Sequence, residues 1–330
     1  MVEIRIPNIV VIGGGTGSSI VLKALKKHNC NLSTIVPMGD SGGSSGRLRE
    51  ELGILSAGEI RQRIIALADQ SENELVSLLD YRFEKGNELK GHNLGNILIA
   101  GLTEFYGSQE KAIETLSRMV NAKGKIIPST WDRFELVAEY ENGKKIIGEH
   151  FIDESNENVR ISRLYTQPIA KANPQAIEAI KNADFIIFGP GDLYSSVLHN
   201  IVVDGIAQAI RENRAKKIFI CNLMTTEETK GMDLQDFIDE MEKYIGAKVI
   251  DTVVVNSKEL PAEVVKMYEN MGHFPVKTVL DERKRVGILH GDLLAEEPYK
   301  KISSDVLQRS MLRHDTDKLG PLLFGLIQGE

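Results

Sequence analysis

The sequence predicts an α/β fold, a mainly parallel sheet covered by helices on both faces. Short apolar runs recur along the chain, helix-length segments separate them, and several of the runs end in glycine or asparagine. The first run, residues 9–12, is β-branched and ends in Gly13-Gly14-Gly15-Thr16-Gly17, and residues 18–27 then read as a helix. Further strand-like runs lie at 32–36, 185–188, 218–221 and 249–255. Between about 126 and 164 the texture changes. There, residues 134–140 and 144–151 flank Asn142-Gly143, a strong short hairpin signal, which predicts a small β-rich hairpin insertion. Pro174 stands where a first helical turn would begin, and residues 176–182 lead back to the sheet. No linker divides the chain, so residues 1–330 read as a single α/β domain carrying the insertion.

Composition narrows the function. With 42% hydrophobic residues over 330 positions, the chain has enough apolar material for a substantial core. A formal charge of −7 argues against a broad nucleic-acid footprint, while leaving room for a local basic pocket. Cys30 and Cys221 match no metal-ligand or redox spacing, which fits a reducing compartment. No apolar signal region precedes the first strand and no run is long enough to span a bilayer, so a cytoplasmic protein without a membrane span is expected.

The glycine-rich segments carry the chemistry. A strand, glycine turn and helix can seat a phosphate, because glycine lets it approach the backbone and the helix start offers unbonded N–H groups and a positive dipole end. The 13–17 turn does not follow G-x-G-x-x-G, since Ser18 stands where the third glycine belongs, and no G-K-[ST] follows. A turn without a ligand is the alternative. The second cluster, Asp40-Ser41-Gly42-Gly43-Ser44-Ser45-Gly46-Arg47-Leu48-Arg49, combines backbone, hydroxyl and guanidinium donors suited to a polyanion, and Asp40 suits a ribose hydroxyl or a metal. Its alternative is a surface loop. Gly58-Glu59-Ile60-Arg61 taken alone reads as a solvated helix start. In Gly91-His92-Asn93-Leu94-Gly95-Asn96, the amides suit helix capping or ligand orientation, and His92 suits a structural hydrogen bond better than proton transfer. Gly189-Pro190-Gly191-Asp192-Leu193-Tyr194-Ser195-Ser196 follows a strand directly, and Asn222 follows the next one. Open parallel sheets bind ligands at such strand ends.

In order and spacing, the segments 13–17, 42–49, 58–61, 91–96 and 189–196, with Cys221-Asn222-Leu223-Met224-Thr225, resemble the YvcK branch of the YvcK/CofD-like family over about residues 8–257. The resemblance implies a Rossmann-like, doubly wound sheet. It implies one of two functions: a UDP-sugar-binding gluconeogenesis factor that affects central carbon metabolism and cell shape, or transfer of a phospholactyl group from a nucleotide-activated donor to a deazaflavin. The first is the closer match. On that reading the ligand-binding residues are Gly13, Gly14, Gly15, Thr16, Gly17, Asp40, Gly42, Gly43, Ser44, Ser45, Gly46, Arg47, Arg61, His92, Asn93, Asn96, Gly189, Gly191, Asp192, Ser195 and Asn222. Partners would be a nucleotide sugar or other nucleotide diphosphate, with protein partners or a second copy of the chain open.

The departures from the family pattern bear on metal binding. Asp40-Ser41 replaces two adjacent aspartates, Glu59 replaces an aspartate, and Asp192 replaces a serine. Asp192 is therefore expected near Asp40, restoring the lost carboxylate. A binder needs no cofactor, whereas a transferase would use Mg²⁺ on Asp40 and Asp192, with His92 the candidate proton acceptor. A nicotinamide dehydrogenase rests on the first turn alone and lacks the expected acid about 20 residues on. Trp131 and Tyr165 are expected to pack around the insertion, and Arg283-Lys284-Arg285 reads as a solvated turn.

Overall fold

The computed structural model describes residues 5–69, 74–281, 286–299 and 310–329; the Arg283-Lys284-Arg285 turn lies outside them. Ten strands form two sheets among these residues. They are β1 (Asn8–Ile12), β2 (Asn31–Val36), β3 (Lys125–Pro128), β4 (Glu135–Tyr140), β5 (Lys145–Ile147), β6 (Ile161–Gln167), β7 (Phe185–Phe188), β8 (Lys216–Ile220), β9 (Thr252–Asn256) and β10 (Gly287–Gly291). The main sheet runs β10-β9-β8-β7-β1-β2-β3, and every neighbouring pair is parallel. The small sheet, β5-β4-β6, is antiparallel.

Burial along β1 explains the layering. Successive strand residues point to opposite faces, yet Ile9, Val10, Val11 and Ile12 are all buried, so apolar material covers both sides. Helix Gly15–Leu25 packs against Ala57–Leu67 and Thr316–Gln328, while Ile206–Glu212 packs against Pro174–Lys181 and Leu234–Ile245. This is the doubly wound arrangement that the alternating pattern predicts. Pro174 opens its helix as expected, where a missing N–H costs no helical bond.

The insertion differs from expectation at both ends. Residues 126–128 belong to β3, which extends the parallel sheet beside β2, and the small sheet begins at Glu135. The second hairpin strand stops at Ile147, because Gly148 adopts φ of 101° and turns the chain into the helix Glu149–Asp153. That short helix is what brings acidic side chains toward the carboxyl edge of the main sheet. Trp131 packs partly buried against the main core, and Tyr165 lies on β6 with the Arg163 guanidinium 5.0 Å from its ring centre.

Candidate functional site

Strands β1 and β7 are neighbours, but the chain leaves β1 toward β2 on the other side. The strand order therefore reverses between them, and open α/β sheets bind ligands outside the carboxyl ends of the strands at such a point. The turns after β1 and β7 meet there in atomic contact. A Cβ on Gly17 would lie 2.2 Å from the Pro190 carbonyl oxygen, and one on Gly14 would lie 2.8 Å from Ser196 Oγ. Space requires glycine at Gly17, where the close atom is backbone, whereas at Gly14 a serine hydroxyl would have to move aside. At Gly15, where φ is 63°, glycine is required by the backbone itself. Thr16 follows in the first turn of the helix.

The second cluster is not an extended cradle. Gly43 opens the helix Gly43–Leu52, so Ser44, Ser45, Gly46 and Arg47 form its first turns, with backbone N–H groups that no helical carbonyl can accept at its start. Asp40 closes the approach to this helix by accepting the Gly42 N–H at 3.0 Å, and its own N–H donates to Ser56 Oγ. Ser45 Oγ accepts the Gly58 N–H at 2.9 Å, which ties the helix to Ala57–Leu67.

Ser44 is the hub of the third cluster. Its Oγ accepts from Asn96 Nδ2 at 3.2 Å and from the Asn93 N–H at 3.5 Å, so its own proton points to His92 Nδ1 at 3.0 Å. Burial, then the nearby Arg47, pushes the His92 pKa down, in keeping with a neutral ring that accepts at Nδ1. Asn93 caps the helix Leu94–Tyr106 by accepting the Gly95 N–H at 2.9 Å. Arg61 lies buried against Asn96 Oδ1 and forms an ion pair with Asp80, and Arg47 donates to the Lys90 carbonyl. The guanidinium of Arg61, which the resemblance puts among the ligand-binding residues, is thus held by protein groups.

On the other side of the reversal, Asn222 Nδ2 donates to the Gly191 carbonyl at 2.8 Å and its Oδ1 accepts the Gly191 N–H at 3.3 Å. The Asn222 side chain thereby fixes the β7 turn. The Tyr194 and Ser195 N–H groups, just past Asp192, donate to the Glu228 carboxylate at 2.8 and 3.1 Å. Gly189 adopts φ of 67° and leads directly from β7 into this turn.

The sequence reading missed the density of carboxylates. Glu59 receives the Gly15 N–H on both oxygens at 3.0 Å and is bonded at 2.9 Å to Arg63, a guanidinium with 0% exposure. Burial, then the Glu59 charge, raises the Asp40 pKa. Burial, then Asp40 and Asp153, lifts Glu149 well above the usual range, and burial, then Asp192 and Asp153, does the same to Glu228. Burial, then Asp153, pushes Asp192 up to about 7, with Glu59 adding to the shift. Glu149 and Asp153 share one short helix, Glu228 lies on a turn beyond β8, and none of the three carries a motif; only Glu59 stood beside a noted glycine. Among the described residues, no three His, Cys, Asp or Glu side chains are grouped as a metal ion's ligands. The oxygen-only character of Asp40 and Asp192 nonetheless fits Mg²⁺, which takes one or two carboxylates together with phosphate oxygens.

Tyr268, Arg313 and His314, which no motif places at the site, belong to the C-terminal part of the described structure. The Tyr268 hydroxyl accepts the Met311 and Leu312 N–H groups, and the Arg313 guanidinium stacks 3.4 Å from the Tyr299 ring centre.

A parallel sheet with reversed strand order and paired glycine turns at its carboxyl edge defines a Rossmann-like α/β protein. The family model described as 2-phospho-L-lactate transferase CofD matches residues 9–293, and the chain belongs to that family. The gluconeogenesis factor of Bacillus subtilis strain 168 is 37% identical over 326 residues, covering 98% of each chain. That of Halalkalibacterium halodurans is 36% identical over 314 residues, covering 94% of each. A crystal structure of a UPF0052-family protein from Bacillus halodurans superposes with a TM-score of 0.87 at 34% identity, covering 97% of this chain and 100% of the other. Among the described residues, no helix is long and apolar enough to cross a membrane.

Proposed function

We propose that the protein is a cytoplasmic gluconeogenesis factor, a regulatory protein that binds a nucleotide sugar and affects central carbon metabolism and cell shape. The observation that carries this reading is the meeting of the β1 and β7 glycine turns at the strand-order reversal, beside the start of helix Gly43–Leu52, whose first N–H groups no helical carbonyl accepts and which can meet a diphosphate. Relatives named gluconeogenesis factor that match over nearly the full chain support it. The start of helix Gly43–Leu52 supplies backbone N–H groups to the phosphates, with Arg47 beside it. The loop after β8, which brings Asn222 and Glu228 to the β7 turn, lies beside this seat and takes the base and sugar.

The family model's description favours one further reading, phospholactyl transfer from a nucleotide-activated donor. In that case Asp40 and Asp192 would hold Mg²⁺, which balances phosphate charge when bound. His92 would serve as proton acceptor only if its Nδ1 gave up the Ser44 hydroxyl.

Isothermal titration of ligand-free protein with UDP-N-acetylglucosamine, GDP and NAD⁺, with and without Mg²⁺, tests both readings. Selective uridine-sugar binding without turnover is expected, weakened in Arg47→Ala. A preference for GDP that requires Mg²⁺ would favour the transferase, and silence toward all three would remove the nucleotide site.

A further inference from the structure

The first glycine turn does not present an open anion seat. The Gly15 N–H, at the start of an 11-residue helix, is taken by a carboxylate of the protein itself, with both Glu59 oxygens at 3.0 Å. The seat thus already holds an anion of the kind that a phosphate would be.

Glu59 is held there from three directions. It lies in the first turn of helix Ala57–Leu67, whose entry residue Ser56 adopts φ of 40°. One turn on, Arg63 donates to Glu59 at 2.9 Å, to the Gly15 carbonyl at 2.7 Å and to Ser19 Oγ, so one buried guanidinium clamps the carboxylate and the glycine turn together. Gly58 lets the helix approach the Asp40 loop, since a Cβ there would lie 2.6 Å from Ser45 Oγ and 3.2 Å from Asp40 Oδ2. The charge reaches across the site: Glu59 raises the pKa of Asp40, Glu149 and Asp192 alike. A phosphate entering the turn would have to displace Glu59 from its hydrogen bonds or sit against its negative charge in a partly buried cleft. Either route disfavours a bare phosphate.

We infer that Glu59 is a specificity-determining residue of this site: it fills the anion seat at Gly15 and keeps metal-free phosphate and diphosphate out of the first glycine turn. The inference rests on the nucleotide-diphosphate reading of the cleft and deepens it. Phosphate groups are left to the start of helix Gly43–Leu52, and the first turn admits only a ligand group that donates a hydrogen bond to Glu59 or arrives with a counter-cation. A sugar or ribose hydroxyl is such a donor.

The test uses inorganic pyrophosphate in EDTA as the probe, so its result is independent of which nucleotide sugar binds. The Gly15 amide is followed by NMR on full-length protein labelled with ¹⁵N-glycine, and affinity is measured by titration. In wild-type protein the Gly15 resonance is expected to stay in place. Glu59→Gln keeps one amide oxygen that can accept from both the Gly15 N–H and Arg63, as Glu59 Oε2 does, while removing the charge. It is expected to bind pyrophosphate on the order of tenfold tighter or more, with a Gly15 shift, because a like charge at the seat is gone. Asp153→Asn removes a neighbouring charge without touching Gly15, and is expected to gain less than about threefold. Displacement of the wild-type Gly15 amide by pyrophosphate in EDTA would overturn the inference without recourse to any variant. So would an equal gain in Asp153→Asn, or no Gly15 shift in a folded Glu59→Gln protein.

Discussion

Asp192 is where burial and charge crowding meet at a single residue. Its carboxyl is pushed up to about 7 by burial first and by Asp153 next. A carboxyl whose folded pKa lies above its unfolded value, about 4, retains a proton in the native state that the unfolded chain has lost. Its contribution to stability is full below pH about 4, declines as pH rises, and is gone above pH about 7. Asp192→Asn should therefore raise the thermal midpoint at pH 8 and leave it nearly unchanged at pH 4, as melting curves at both values would show. A larger gain at pH 4 would mean that the Asp192 charge is compensated in the native cleft. Glu59 and Arg63 make the complementary point. Each is ordinary in sequence, and together they form a partly buried ion pair fastened to the turn after β1. Their i,i+4 spacing was visible in the chain, but its partner Gly15 lies 44 residues away and was not.

At the scale of the element, glycines separate into those that need space and those that do not. Gly17 faces the Pro190 carbonyl, a rigid backbone atom, so Gly17→Ala must push the two turns apart. It should cost about 1–3 kcal/mol, read by urea unfolding, and should reduce nucleotide-sugar affinity. Gly101, in the helix Leu94–Tyr106, has no neighbouring heavy atom within 4 Å of an added Cβ. Gly101→Ala should stabilise by about 0.5–1 kcal/mol through lower backbone entropy in the unfolded chain, with affinity unchanged. A loss of stability at Gly101 would show that the helix face is covered. The hairpin illustrates how local signals fail at their ends. Asn142-Gly143 located the turn correctly, but the strand after it ended early, because Gly148 turned the backbone into a helix that periodicity over so few residues could not reveal.

For the whole molecule, the site exists because the strand order reverses between β1 and β7. Segments 13–17, 42–46 and 189–196 are separated in the chain yet gathered on one edge. Nucleotide-sugar binding should therefore slow amide hydrogen exchange in all three together, with the amino edge of the sheet unchanged, as mass spectrometry would detect. Protection confined to one segment would place the ligand away from the reversal.

The sequence by itself determined the fold class, the position of the central strands, the hairpin turn and the segments that frame the cleft. Each of these depends on local patterning: apolar runs of strand length, glycines at strand ends and amides at helix starts. Only the tertiary structure decided what the polar side chains do. Arg61 went to Asp80 and Asn96, Asn222 to the Gly191 peptide, His92 to Ser44, and the first glycine turn to Glu59. A buried polar group must find a partner, and which partner it finds depends on distances across the fold that the order of residues along the chain does not contain.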